Sequence, residues 1–547
     1  MSEAIGVILS GSTTTTAKCE IYSSADDLVE EGMLLVVVGK DRILARVDSI
    51  TPYNEFYREG DPWTDVRRQK LRVPSEIARK YKVAELELLG RLTPDGLAEV
   101  TSPPNPGDEV VKIDIKADIK NIFGIDEKDG IIWFGSLYGY KDVPVPLDIE
   151  NITMHMAVFG STGSGKSYTV GYLLELLSEI PVSDATVAFP TIIIDANGDY
   201  LDYFFHFLKN GRFGSFYNVY RFVFSSSKEL YKSKNVRKIA IDLDEFTSRE
   251  LAELIISFRT GGTINELQVA GLEMVLKELK ENYELQFNDI FVKDSLYKEF
   301  EDELDRRSGR EGPIHTQTAK AIRSATEQFR REVVDKVRMV STDGPTMSSE
   351  LIEEVSSKPS LVIIDFSSDG APGISLQIKQ LVIAYLTKLL YNKFVEYKMK
   401  DEERYVFLII EEAQNYCPNP STYPIGYTLT RRNLSLIATQ GRKFGICLCL
   451  VTQRPVFVDP IVLSMVNTFL IHRISVDDVS FVKKITGGLP KSIESKLTNL
   501  RRGNVILNGQ MNILHFPILV SIIGVREIQP TVGKTNVIKT LERFKKS

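Results

Sequence analysis

Met156-Ala157-Val158-Phe159-Gly160-Ser161-Thr162-Gly163-Ser164-Gly165-Lys166-Ser167 is the stretch that decides the fold. Four apolar residues lead into a Gly/Ser loop that ends in Lys-Ser. Apolar positions at Val170, Leu173, Leu174 and Leu177 follow at helical spacing. Strand, GxxxxGK[ST] loop and helix in that order form a phosphate-binding loop. Its glycines let backbone N–H groups close on a polyphosphate without a Cβ in the way, and the helix start adds partial positive charge. Gly160, Ser161, Thr162, Gly163, Ser164, Gly165, Lys166, Ser167 and Tyr168 are the expected nucleotide contacts. Lys166 would reach the β- and γ-phosphates of ATP, and Ser167 would hold Mg2+.

Outward from this loop the chain falls into segments. Residues 1–145 carry short β-branched runs, such as Met33 to Val38 and Ile43 to Val47, joined by Gly39-Lys40-Asp41. Regular short strands with turn signals predict a small N-terminal β-barrel or sandwich without a catalytic constellation. From 146 the runs become continuously apolar: Met156–Phe159, Thr191–Ile194, Ile239–Leu243, Leu361–Ile364, Val406–Ile410 and Ile446–Val451. Strands of that kind are buried on both faces and predict a mostly parallel sheet in an α/β core, interrupted by a helical insertion over 246–350. The core is expected over 146–245 and 351–530, with a C-terminal tail at 531–547. Arg306, Arg307, Arg310, Lys320, Arg323, Arg330 and Arg331 of the insertion alternate with Glu and Asp. That pattern reads as a solvated face before a partner or DNA contact.

Composition narrows the class. The 547 residues are 43% hydrophobic and 26% charged, with a net charge of −6. That fits a globular protein of several domains and excludes a basic coat for nucleic acid, though not a local basic groove. Four cysteines lack metal-ligand spacing and the five histidines stand apart, so no zinc pattern is present. No segment reads as a membrane span, and a cytoplasmic location is expected.

Hydrolysis needs a carboxylate for the metal and a base for water. The Val406–Ile410 run ends in Glu411 and Glu412, and the Leu361–Ile364 run ends in Asp365 alone. The pair is the better candidate, with Glu411 toward Mg2+ and Glu412 toward the attacking water. Asp365 reads as a strand-end turn residue. Asp195 and Asp199 close another strand and belong either to the metal and water shell or to loop capping. Gln453, at the end of a further strand, is placed to sense a γ-phosphate. Arg442, between glycines 441 and 445, is suited to spreading charge over a transferring phosphoryl group.

Taken in order, His155 to Ser167, Ile192-Ile193-Ile194-Asp195-Ala196-Asn197-Gly198-Asp199-Tyr200, Ile409 to Tyr416, Gly441 to Ile446 and Val451 to Pro455 resemble the HerA branch of the HerA–FtsK superfamily. The resemblance covers most of the chain. It implies a RecA-like ATPase core and an N-terminal barrel of the HAS type. It further implies a homohexameric ring that moves along double-stranded DNA, with a NurA-type nuclease partner, in end resection and recombinational repair. Three positions depart from the family pattern: Gln414 stands where His is usual, and Met154 and Leu436 stand where Arg is common. Arg442 and the Arg431–Arg432 pair are then the candidates for an arginine acting on a neighbour's ATP. Two rival readings remain: a pump ATPase of conjugation or secretion systems, and an ATP-gated clamp on DNA that does not translocate.

Overall fold

The computed structural model describes residues 3–74, 77–124, 130–210, 216–260, 264–309, 312–340, 344–423 and 429–528. Arg310 and the expected tail at 531–547 lie outside them. The chain divides into two compact units. The first holds Met1–Asn151, Ser161–Gly165 and Thr468–Val525, and the second holds Ile152–Gly160, Lys166–Asn467 and Arg526–Ser547. Residues 468–525, expected in the second part of the core, fall in the first unit by this division.

In the first unit, seven antiparallel strands run in the order Thr16–Ile21, Ala4–Ile8, Glu109–Val111, Leu34–Val38, Arg42–Asn54, Lys80–Thr93 and Gly96–Ala98. Thr16–Ile21 also pairs with Lys80–Thr93, which closes the sheet into a barrel. Alternate side chains fill it, among them Ile8, Cys19, Leu35, Val37, Ala45, Val47, Leu86 and Val110, as the period-two pattern of a small barrel requires. The expected hairpin is present, with Leu34 opposite Arg46 and Val38 opposite Arg42. The same unit contains an antiparallel set: Thr468–Ile471, Asn504–Gly509, Ile518–Ser521, Ile131–Leu137 and Pro144–Asp148, each paired with the next.

The second unit carries seven parallel strands in the order Val236–Lys238, Asn218–Val223, Ser360–Asp365, Thr191–Asp195, Val406–Ile410, Ile446–Thr452 and Met156–Phe159. Every residue of Val406–Ile410 and Ile446–Thr452 is buried, as strands covered on both faces must be. The strand order is non-sequential, so successive strands cross over through helices such as Lys166–Leu177 and Leu376–Met399. The antiparallel pairs of residues 131–148 and 468–521 were not foreseen.

Two strand expectations change. The run Ile239–Leu243 is buried but forms no strand; Ile241 makes one isolated bridge to Val340, and Leu243–Glu245 turns into a short 3-10 helix. The strand lies three residues earlier, at Val236–Lys238. Asn218–Val223 was missed because Arg221 interrupts its apolar run. That guanidinium is 2% exposed and lies 2.6 and 3.0 Å from Asp365 Oδ2, whose side chain is fully buried. The pair joins neighbouring strands and accounts for Asp365 as a structural residue. The insertion carries the helices Ser248–Thr260, Glu266–Glu281, Phe287–Val292, Asp294–Arg306 and Thr316–Phe329, and Arg330–Lys336 continues the last of them as a π-helix. Arg306, Arg307, Arg323, Arg330 and Arg331 each meet a carboxylate: Glu303, Glu303 with Glu278, Asp305 with Glu301, Asp294 and Glu332 respectively. This favours the solvated-face reading. All four cysteines are buried and free. No helix among the described residues is long and apolar enough to cross a membrane.

Breaking the Arg221–Asp365 pair leaves a buried carboxylate without its cation. Arg221→Ala is expected to lower stability by about 3–5 kcal/mol. In urea unfolding, Arg331→Ala on the exposed face should change it by less than about 1 kcal/mol.

Candidate active site

Strands of a parallel sheet end on one edge, and the loops there form the ligand crevice. In the second unit that edge gathers Gly160, Lys166, Ser167, Asp195, Asp199, Glu411, Glu412 and Gln453. Gly163 and Gly165 of the loop have φ of 74° and 116°, a region that side-chain-bearing residues rarely enter. Lys166 opens its helix and donates to the Gly160 carbonyl at 2.7 Å. Burial lowers its pKa, while the charges of Glu412, Glu411 and Asp199 work the other way. Ser167 Oγ donates to Asp199 Oδ2 at 2.7 Å. Tyr168 turns its hydroxyl to accept from the backbone N–H of Arg526 at 3.0 Å. The Arg526 guanidinium and the Tyr203 hydroxyl lie against Gly171 of the same helix. A Cβ there would sit 2.7 Å from Arg526 Cζ and 2.5 Å from Tyr203 Oη.

The four carboxylates differ in their partners. Asp195 is fully buried, and its Oδ1 accepts from the N–H groups of Asn197, Gly198 and Asp199, while Oδ2 accepts from Tyr200. Both oxygens thus hold the loop that presents Asp199. Burial and the nearby Asp365 charge raise the Asp195 pKa against those donors. Glu411 is 3% exposed; its Oε1 accepts from Tyr200 Oη at 2.6 Å, and its Oε2 is buried without a hydrogen-bond partner. Burial, and next the Asp195 charge, push its pKa well above the carboxylate range. Glu412 adopts the left-handed conformation, φ 50° and ψ 46°, which costs a non-glycine residue energy and clusters at functional sites. Gln453 Nε2 donates to Glu412 Oε2 at 3.2 Å, and Gln414 Nε2 donates to the same oxygen.

These groups can be weighed against Mg2+. Among the described residues no cluster of three His, Cys, Asp or Glu is arranged to hold a metal alone. Magnesium in nucleotide sites keeps several waters and takes one or two protein oxygens plus phosphate. Ser167 Oγ, Asp199 and the unpaired Glu411 Oε2 supply a donor set of that kind, so the residues fit the ion.

Arg442 stands elsewhere. It is exposed on the 3-10 helix Gly441–Phe444, which precedes the strand Ile446–Thr452, whereas Gln453 follows that strand. Seven strand residues span about 20 Å, so Arg442 and Gln453 occupy opposite edges of the sheet. Arg431 pairs with Asp459, and Arg432 with Glu250 and Glu253. The role of Tyr200 was not foreseen, although its motif was; nothing in its spacing reveals a bond to Glu411.

The chain is similar to several known proteins. The family model described as "Helicase HerA, central domain" matches residues 132–390. The "DNA double-strand break repair helicase HerA" of Saccharolobus solfataricus is 27% identical over 413 residues, covering 74% of this chain and 71% of that protein. That of Pyrococcus furiosus is 25% identical over 493 residues, covering 82% and 79%. Among solved structures, VirB4 of Thermoanaerobacter pseudethanolicus has 16% identity and a TM-score of 0.46 over 73% of this chain and 97% of its own. The bacterial conjugative coupling protein TrwB has 14% identity and a TM-score of 0.47, over 74% of this chain and 91% of its own.

His155, just before the first strand of the site, is 2% exposed. Its Nδ1 accepts from Leu448 N–H at 3.1 Å, so Nε2–H donates to the Ala438 carbonyl at 3.0 Å. Burial holds its pKa down at about 4, opposed by the Ala438 bond, with a further lowering from the Arg442 charge. The unfolded chain takes up this proton first. Stability from neutral His155 is therefore complete above about pH 6.5 and is lost as pH falls toward 4, by about 3 kcal/mol. Urea unfolding should show that slope, and His155→Gln, which keeps a donor and an acceptor, should lose it.

Proposed function

Because this chain belongs to the HerA family of the HerA–FtsK superfamily, we propose that it is an ATP-driven motor acting on double-stranded DNA in break repair. It is an ATP-hydrolysing enzyme, and the movement of duplex DNA is the work that hydrolysis drives. The observation that carries this reading is the single sheet edge on which Lys166, Ser167–Asp199, Glu411 and the Glu412–Gln453 contact converge. The relatives named HerA, aligned over about three-quarters of the chain or more, supply the DNA substrate.

Lys166 and the Gly160–Ser167 backbone bind and orient the phosphates, and their fixed charge favours the negative transition state. Mg2+, when bound, would neutralise charge on the β- and γ-phosphates. Ser167, with Asp199 and Glu411 beside it, are the residues that would hold it directly or through water. Glu412 orients the attacking water and takes its proton on a carboxylate oxygen. Gln453, already in contact with Glu412, is the sensor that reports the γ-phosphate. Arg442 faces away from this pocket along its own strand and therefore serves the nucleotide of a neighbouring copy. That requires a ring of head-to-tail interfaces, for which a homohexamer around DNA is the proposed form, with a NurA-type nuclease as partner.

Lys166→Ala should abolish ATP turnover stimulated by duplex DNA. Glu412→Gln should retain binding of a non-hydrolysable ATP analogue and lose about 10²–10⁴-fold in kcat. A wild-type rate in either variant, measured by phosphate release, overturns the assignment.

Arg442→Ala alone should be inactive. Mixed with Lys166→Ala subunits, it should regain up to about a quarter of the wild-type rate, because random head-to-tail assembly pairs intact pockets with intact arginines. Failure of the mixture to recover any activity would remove Arg442 from the neighbour's site.

A further inference from the structure

Gln414 lies two residues beyond Glu412 and is 6% exposed. Its amide bridges two strand ends. Nε2 donates to Glu412 Oε2, and Oε1 accepts from Thr452 Oγ1 at 2.7 Å. Thr452 itself is fully buried and accepts at Oγ1 from the backbone N–H of Arg454 at 3.1 Å. With that acceptor position taken, the Thr452 hydroxyl points its proton at Gln414. The Glu412 carboxylate only accepts, so the NH₂ end of Gln414 must face it. The orientation of the amide is thereby fixed from both sides. Gln453 Nε2 reaches the same Oε2 at 3.2 Å and is 3.5 Å from Oε1.

We infer that Gln414 is a positioning residue that aims the Glu412 carboxylate and selects which of its oxygens acts as the base. This rests on the reading of Glu412 as the general base. Two amides converge on Oε2 and blunt its basicity, while Oε1 meets, among the described residues, only the longer 3.5 Å contact from Gln453 and keeps a lone pair for the attacking water. The left-handed backbone at Glu412 would otherwise leave the side chain several rotamers; the Thr452–Gln414 leg holds one. Gln453 can then turn to a γ-phosphate without releasing Glu412, because the second amide stays in place. An amide does not titrate, so this hold is the same across the pH range in which an imidazole at position 414 would change charge.

The test is a kinetic cycle on the full chain with duplex DNA. Gln414→Leu keeps the volume and removes the donor. It should lower kcat by about tenfold or more, a fraction of what the base itself supplies, while the affinity for a non-hydrolysable ATP analogue stays at the wild-type value. Gln414→His restores a donor and should recover most of the rate at pH 8. Thr452→Val frees the amide to rotate and should act in the direction of Gln414→Leu. In the Glu412→Gln background, Gln414→Leu should cost nothing further, because the group it aims is gone. The inference is overturned if Gln414→Leu keeps kcat within twofold of wild type. It is equally overturned if the loss is as large with Glu412→Gln as without it, which would mark a general structural role. A wild-type rate in Glu412→Gln alone would instead sink the reading of the base, a distinct failure.

Discussion

Negative charge gathered at one sheet edge is the constraint on which the rest of this structure turns. Asp195, Asp365, Glu411 and Glu412 all stand at or just beyond the ends of adjacent parallel strands. Like charges so close repel one another, and burial leaves little water to screen them. The chain gives each a different partner. Asp365 takes a buried guanidinium, Asp195 takes four backbone N–H groups, Glu411 takes a tyrosine hydroxyl on one oxygen, and Glu412 takes two side-chain amides. Differences in partner become differences in task. The first two are consumed in holding loops. Glu411 keeps a buried oxygen with no donor, the property wanted in a group that meets a cation. Glu412 meets neutral amide donors, the setting wanted in the proposed base.

What could be read from the sequence follows from the range of the forces involved. The phosphate-binding loop and the strands ending in Glu411 and Gln453 were legible because apolar runs and glycines act locally. So was the barrel, through its alternation and its hairpin. The strand Asn218–Val223 was not, since Arg221 looks like an interruption until Asp365, 144 residues later, is brought beside it. The apolar run Ile239–Leu243 misled for the converse reason: burial without a ladder of hydrogen bonds leaves the same composition. That the strands within 468–525 pair antiparallel was not legible, because buried antiparallel strands carry the same Val, Ile and Leu as parallel ones.

Within the site the residues named from motifs lie where strand ends put them, but their bonds were not legible. That Ser167 meets Asp199, that Tyr200 meets Glu411 and that Asp195 spends both oxygens on backbone N–H groups are facts of loop geometry. The substitution at Gln414 was visible as a departure from a family pattern. Its consequence, an amide clamped between Thr452 and Glu412, required the neighbouring strand.

The direction of the strands carries one more step. A parallel sheet places all its strand ends on one side, so a pocket built there draws on one copy for the loop, the metal-side oxygens and the base. A residue at the opposite edge cannot reach back across a strand of about 20 Å. Arg442 is such a residue, exposed, with its charge felt by His155 at the near end of the first core strand. The arginines nearer the pocket edge are held by their own chain, Arg431 by Asp459 and Arg432 by Glu250 and Glu253. In the proposed ring, a further cation for the transferring phosphoryl group comes from outside the copy that binds the nucleotide. A pocket completed that way hydrolyses only when two copies are correctly set against each other. Turnover thereby becomes a report on the geometry of the assembly, which is what a motor needs if movement of one copy is to license chemistry in the next.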